Sequence, residues 1–464
     1  MFRLIAWAST LFAAAGTAPA ATVTGPIAAA TRDASHNYPF FSTREWLDQY
    51  GYVEEEFYVE GMATEYVANR LQLETATVGP GGPYPYKTRV IVRRPKSARQ
   101  FNGTVILEWI NVTPNHDFEI DWNQSREHLM RRGFAQVGAS VQTNGIDTPA
   151  GLKKWSPSRY GSLDVTARGK FAEDQLSFSI FSQIARALKS PTGVRLLGGF
   201  TVENVVATGH SQSAFRLTTY YNTIHPIEGI VDGFVLHGGV QSGPVRTDLR
   251  TPAWKLLSET DVLRGQAPVR QPDTAYFRTW EVAGTSHGDK DLDEALVMLR
   301  GRDLTVPADE PCERPILSRV PSHLVQGAVY DHMKRWVENG SQPPHAPRIM
   351  MSSIGTAGTP PERLSVVARD EHGNALGGIR LAQFAVATAT NTGFNDGPGF
   401  CRIKGSHEPF DPARLARLYP DRAAYVAAVN RMTDENQKAG YITKEGAAQT
   451  RQDAARFQIG ASAR

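Results

Sequence analysis

Gly209-His210-Ser211-Gln212-Ser213 carries the strongest chemical signal in the chain. The run ENVVATG at residues 203–209 is short and β-branched and predicts a strand; a helix-compatible run follows from Gln212 without a gap. A serine at such a strand-to-helix turn, with small residues two positions to either side, is a nucleophile elbow. Backbone and helix crowd each other there, the hydroxyl is lifted clear of the sheet, and the helix N-terminus is aimed at a developing oxyanion. A serine that merely caps a helix would present the same residue types. The strand before it and the helix after it favour the nucleophile.

A serine needs a base, and the base needs an acid to orient it. Downstream, Trp280-Glu281-Val282-Ala283-Gly284-Thr285-Ser286-His287-Gly288-Asp289 reads as a strand running into a small-residue loop that presents His287. Between Ser211 and His287 lies Pro252-Ala253-Trp254-Lys255-Leu256-Leu257-Ser258-Glu259-Thr260-Asp261, an apolar strand ending in acids. Asp261 is preferred to Glu259 because it falls further into the loop past the strand. Asp232 precedes its strand and is the weaker candidate. For the oxyanion hole the expected donors are the backbone N–H of Gln212 and a group on the loop after the strand at 103–109, with Asn111 placed first and Val112 next.

Two segments imitate sites. His237-Gly238-Gly239 looks like an oxyanion loop but follows Ser211 instead of preceding it, and reads as a packed turn. Asp289-Lys290-Asp291-Leu292-Asp293-Glu294 imitates a calcium loop but lacks the glycine after the third acid and the glutamate at the twelfth position. It reads as an acidic helix start. No His/Cys/Asp cluster has metal-ligand spacing, so no metal is expected.

The elements that must hold these residues alternate between strand and helix. Strands are expected at 57–67, 87–94, 103–109, 134–141, 203–209, 229–236, 253–258 and 277–283. Helices are expected at 123–132, ending at Gly133, at 174–188, from Gln212, and at 322–338. Such alternation predicts an α/β fold with a mostly parallel, helix-covered sheet. A Pro-rich connector at 342–347 precedes a hairpin at 363–387, turning through Asp370-Glu371-His372-Gly373-Asn374, and then a polar helical segment. The expected organisation is a leader over 1–20, a catalytic domain over 21–344, and a C-terminal extension over 345–464 that packs on the core, lacking the apolar runs for one of its own.

Arg3, the apolar Leu4–Gly16 and Ala18-Pro19-Ala20 have the form of a cleaved signal peptide, which implies export to a periplasm or beyond. Cys312 and Cys401 are the only cysteines, and in an exported protein they favour one disulfide. Lys and Arg total 50 against 47 Asp and Glu, a formal net charge of +3, too slight to imply nucleic acid. No later run is apolar enough to span a membrane.

GHSQS, LLSETDV and EVAGTSHGD, in that order, make residues 58–340 resemble the α/β-hydrolase superfamily. RDEHGNALGGIRL at 369–381 is similar to a segment of an exported bacterial family known only as alpha/beta hydrolase domain-containing proteins. The resemblance implies an eight-stranded core, a Ser-Asp/Glu-His triad of Ser211, Asp261 and His287, hydrolysis of a small-molecule ester, and no cofactor. Ser213 departs from the glycine most elbows carry, and no HGGG-type loop precedes Ser211. An amidase or lactonase would use the same residues. A hydrolase fold without activity would serve as a binding protein.

Overall fold

The computed structural model describes residues 20–28, 36–43, 46–69, 71–306, 309–355 and 365–459. The leader expected over 1–20 lies outside the described residues, apart from Ala20. A nine-stranded sheet forms the centre. Its strands are β1 (Thr22–Thr24), β2 (Tyr52–Ala63), β3 (Tyr84–Pro95), β4 (Thr104–Trp109), β5 (Ala135–Ala139), β6 (Asn204–His210), β7 (Gly233–His237), β8 (Ala253–Ser258) and β9 (Phe277–Val282). In space they run β1-β2-β3-β5-β4-β6-β7-β8-β9. Pairing is antiparallel from β1 to β5 and parallel from β5 to β9. The implied count of eight is corrected to nine by β1, a three-residue edge strand too short to show a period.

The buried runs read from sequence are explained by two apolar layers. Along β4, Val105 and Leu107 enter one core with Ile180, Phe181 and Ile184, while Ile106 enters the other with Val206, Val325 and Val329. A strand covered on both faces loses its polar alternation. The helices concerned are α1 (Ile120–Arg131), α2 (Ser177–Lys189), α3 (Gln212–Thr219), α4 (Lys290–Asp303) and α5 (Ser322–Asn339). Helix α1 begins three residues earlier than its pattern suggested because the buried Glu108 carboxylate on β4 accepts from the N–H groups of Asp121 (2.9 Å) and Trp122 (3.0 Å). A carboxyl oxygen there satisfies first-turn donors that the helix itself leaves unpaired.

β2 also starts earlier than expected, at Tyr52. The acidic run Glu54-Glu55-Glu56 hides its period, yet Glu54 and Glu56 are buried. Arg93 Nε donates to Glu54 at 2.9 Å directly across the strand pair, and Arg89 Nε donates to Glu56 at 2.7 Å.

In the extension, the turn at 370–374 forms, with Asp370 N donating to Asn374 O at 2.8 Å and Arg369 bridged to Ala375. Among the described residues the longer hairpin arms do not. Ile379 instead pairs with the free edge of β9, donating to Glu281 O (2.7 Å) and accepting from Ala283 N (3.0 Å). Residues Ala382–Ala385 are helical. An open sheet edge offers unpaired backbone groups, and this segment covers them. Ile349, Ile379, Leu381 and Phe384 share a core with β8, β9 and α5. Two further helices, α6 (Arg422–Lys438) and α7 (Lys444–Arg456), close the described chain. Cys312 and Cys401 are joined by a disulfide.

Candidate active site

The parallel strands bring their C-terminal ends to one edge of the sheet, the usual location of ligand sites in such folds. Four of those ends carry the residues singled out above. Ser211 follows β6 in a conformation that side chains rarely adopt, φ 62° and ψ −119°. Its N–H donates to the carbonyl of His237 at the end of β7 (2.9 Å), and the carbonyl before it, of His210, accepts from Asn111 Nδ2 (3.1 Å). The strained turn is thus clamped from both neighbouring strands. A Cβ on Gly209 would lie 2.8 Å from the Cβ of Ser213, so the elbow closes only with a glycine opposite a small residue. Ser213 fills that place in spite of its departure from glycine.

Asp261 and His287, from the turns after β8 and β9, meet at 2.7 Å between Oδ1 and Nδ1. The other Asp261 oxygen accepts from Ser258 N (2.8 Å) and Ser258 Oγ (2.6 Å). Burial alone would push this carboxyl up; the His287 ring and the two Ser258 donors hold it below the ordinary range, and it is ionised. Nδ1 engaged in this way leaves Nε2 for a hydroxyl. Glu259, the alternative acid, points elsewhere. Its fully buried carboxylate accepts from Gly284 N (2.8 Å), Gly393 N (3.0 Å) and Arg369 (2.9 Å). It ties the histidine loop to the extension.

His210 packs against two other histidines, its ring 4.3 Å from that of His287 and 4.5 Å from that of His237. Burial first, and then those neighbours, push its ring well below the usual imidazole range, so it stays neutral. His237 has an acid of its own: Nδ1 lies 2.7 Å from Asp121 Oδ1 on α1. The motif His237-Gly238-Gly239 is a packed turn with a reason, since a Cβ on Gly238 (φ 62°) would lie 2.8 Å from His210 Nε2 and 3.1 Å from His287 Nδ1. Asp289 caps α4 through Leu292 N at 3.0 Å, as an acidic helix start should.

For an oxyanion, Gln212 opens α3, so its N–H is among the first-turn donors that lack an intrahelical partner. At Asn111 the backbone N–H donates to Phe118 O (3.3 Å) and one amide N–H supports the elbow, while Oδ1 accepts from Thr113 N (2.8 Å). The Val112 N–H has no partner among the described residues.

The extension reaches this site, which no local pattern foretold. Thr260 Oγ1 donates to Gly393 O (2.5 Å) and accepts from His287 N (3.2 Å), so one hydroxyl joins the acid turn, the histidine and the extension. Gly288 N donates to Ile403 O (2.9 Å). A Cβ on Gly405 would lie 2.7 Å from that of Ser286. Ser211, His210, His287 and Asn111 open together onto a cavity of about 90 Å³. Among the described residues, no group of three or more His, Cys, Asp or Glu is placed to hold a metal, and no helix is long and apolar enough to cross a membrane.

The family described as "Alpha/beta hydrolase domain" matches residues 23–452. Among solved structures, a serine hydrolase without a lid from Xanthomonas campestris aligns over 53% of this chain and 97% of its own, at 12% identity and a TM-score of 0.28. A protein described as an acetyl xylan esterase from Bacteroides fragilis aligns over 40% of this chain and 44% of its own, at 12% identity and a TM-score of 0.23. A glucuronoyl esterase from Teredinibacter turnerae aligns over 49% of this chain and 47% of its own, at 10% identity and a TM-score of 0.25. This chain therefore spans less than half the length of the last two. No curated protein matches it.

Proposed function

The chain belongs to the alpha/beta hydrolase domain family, and on that premise we propose that it hydrolyses carboxylic esters through an acyl-enzyme on Ser211. The observation that carries this reading is a buried Asp261–His287 couple, 2.7 Å long, whose His287 lines one cavity with the strained Ser211. His287 Nε2 takes the Ser211 proton as Oγ attacks the ester carbonyl, and the oxyanion is met by the Gln212 N–H and the uncommitted Val112 N–H. The imidazolium then gives its proton to the departing alcohol. Water, deprotonated in turn by His287, attacks the acyl carbonyl and frees the acid and Ser211. Asp261, ionised throughout, fixes the tautomer and stabilises the imidazolium. The substrate is a small-molecule ester. The leader-like residues 1–20 and the Cys312–Cys401 disulfide support work outside the cytoplasm.

Purified protein should hydrolyse a p-nitrophenyl ester, and Ser211→Ala should lower kcat by about 10³-fold or more with folding intact. Near-wild-type turnover by the variant would remove Ser211 as the nucleophile.

A further inference from the structure

The cavity beside Ser211 is walled by Phe118, Ile120, Leu292, Leu296, Phe400 and Ile403. Its volume of about 90 Å³ is well under the roughly 150 Å³ of an apolar cavity that admits benzene. The one lysine in its wall is held by two carboxylates: Lys404 Nζ lies 2.6 Å from Asp293 and 3.2 Å from Asp309. Among the described wall residues no lysine or arginine is left over for an anionic acyl group.

Two of the six apolar side chains come from the extension, on a turn fixed at several points. The Cys312–Cys401 disulfide anchors it. Glu313 N donates to Asp396 O (2.9 Å), and Gly288 N, next to His287, donates to Ile403 O (2.9 Å). Phe400 is 37% exposed and stands at the mouth.

We infer that this enzyme selects esters of short, uncharged acyl groups, acetyl to about butyryl, and that the selecting wall is the disulfide-anchored turn Phe400–Lys404. The inference rests on the ester-hydrolase reading above. The acyl group, not the alcohol, takes the cavity because it stays bonded to Ser211 through deacylation, whereas the alcohol must leave first through the open side. A chain longer than the cavity has to displace Phe400 or Ile403 or lie in water, and a pocket contact of one or two methylenes is worth roughly ten- to a hundredfold in kcat/KM.

The test uses the full chain with p-nitrophenyl acetate, butyrate, octanoate and laurate, alongside acetates of progressively longer alcohols. In wild type, kcat/KM should fall at least about tenfold from butyrate to octanoate and change little along the alcohol series. Phe400→Ala combined with Ile403→Ala should raise the octanoate-to-acetate ratio roughly tenfold, and Phe400→Trp should lower the butyrate-to-acetate ratio. Octanoate hydrolysed as fast as butyrate by wild type, or a steeper dependence on alcohol than on acyl length, overturns the inference whatever the variants do. So does an unchanged octanoate-to-acetate ratio in a double variant that melts like wild type. Should that variant not fold, the wild-type series and Phe400→Trp decide. Failure of the underlying reading looks different: no ester of any length is hydrolysed and a fluorophosphonate does not label Ser211.

Discussion

Two Asp–His couples lie against the same neutral His210 ring, and they are alike in length. His287 Nδ1 is 2.7 Å from Asp261, and His237 Nδ1 is 2.7 Å from Asp121. Both acids are secured a second time, Asp261 by Ser258 and Asp121 by Thr208 Oγ1 (2.8 Å) and Gln326 Nε2 (2.7 Å). The difference lies in what the imidazoles face. His287 shares the cavity with Ser211, while His237 does not line it. It gives its backbone carbonyl to the Ser211 N–H instead. On the proposed mechanism a buried carboxylate on an imidazole does not suffice to mark a base, and access to Ser211 decides. In this account the first couple moves a proton and the second holds the floor beneath the elbow.

The sharpest way to break that contrast is to neutralise each acid. Asp261→Asn should reduce kcat by up to about 10⁴-fold, because the wrong tautomer is then favoured. Asp121→Asn should leave most of kcat and show itself in stability, by about 1–3 kcal/mol, as a buried donor loses its partner. Equal kinetic losses would mean that both couples take part in the chemistry. Glu259→Gln, measured by the same kinetics and by denaturant unfolding, should behave like the Asp121 change, since Glu259 braces Gly284, Gly393 and Arg369. A larger kinetic loss there than at Asp261 would reverse the two acids.

The disulfide comes next. Its sequence separation is 89 residues, for which chain entropy gives roughly 4–5 kcal/mol at most. Cys312→Ser with Cys401→Ser should lower Tm clearly and loosen discrimination between acyl lengths, because the freed turn carries Phe400 and Ile403. An unchanged Tm in the double variant, with the bond shown by mass spectrometry in wild type, would contradict this stabilising role.

A further effect is one of pH. Burial, and then the charge of Arg348, lower the pKa of Lys255 on β8 to about 7. In the unfolded chain a lysine titrates near 10.4, so between about 7 and 10 the unfolded state binds more protons and stability rises with pH. Below about 7 the penalty is fully present. Urea midpoints taken across that window should show this rise in wild type and a flatter curve in Lys255→Met. The same slope in both proteins would contradict the assignment.

Much of the site was legible because its constraints are local. An elbow needs small residues at Gly209 and Ser213, and of two acids past the end of β8 the later one reaches further, which separates Asp261 from Glu259. The sheet was legible where both faces are apolar, as in β4. It was obscured where charge is buried, as in Glu54 and Glu56 against Arg93 and Arg89. Contacts distant in sequence left no pattern to read: Thr260 with Gly393, Gly288 with Ile403, and His237 with Asp121. Each is a meeting of unremarkable residues that only the fold brings about. Asn111 shows the converse. It lines the cavity with Ser211, but its backbone N–H is occupied by Phe118 and one of its two amide N–H groups by His210, which only the geometry reveals.

The central claim is that Ser211 is the activated nucleophile, and labelling tests it most directly. Intact protein treated with a fluorophosphonate should gain the mass of one adduct, lose its esterase activity in step, and yield a single labelled peptide bearing Ser211; Ser211→Ala should take up none. Hydrolysis that persists in fully labelled protein, or an adduct that maps to another residue and survives in Ser211→Ala, would contradict the account.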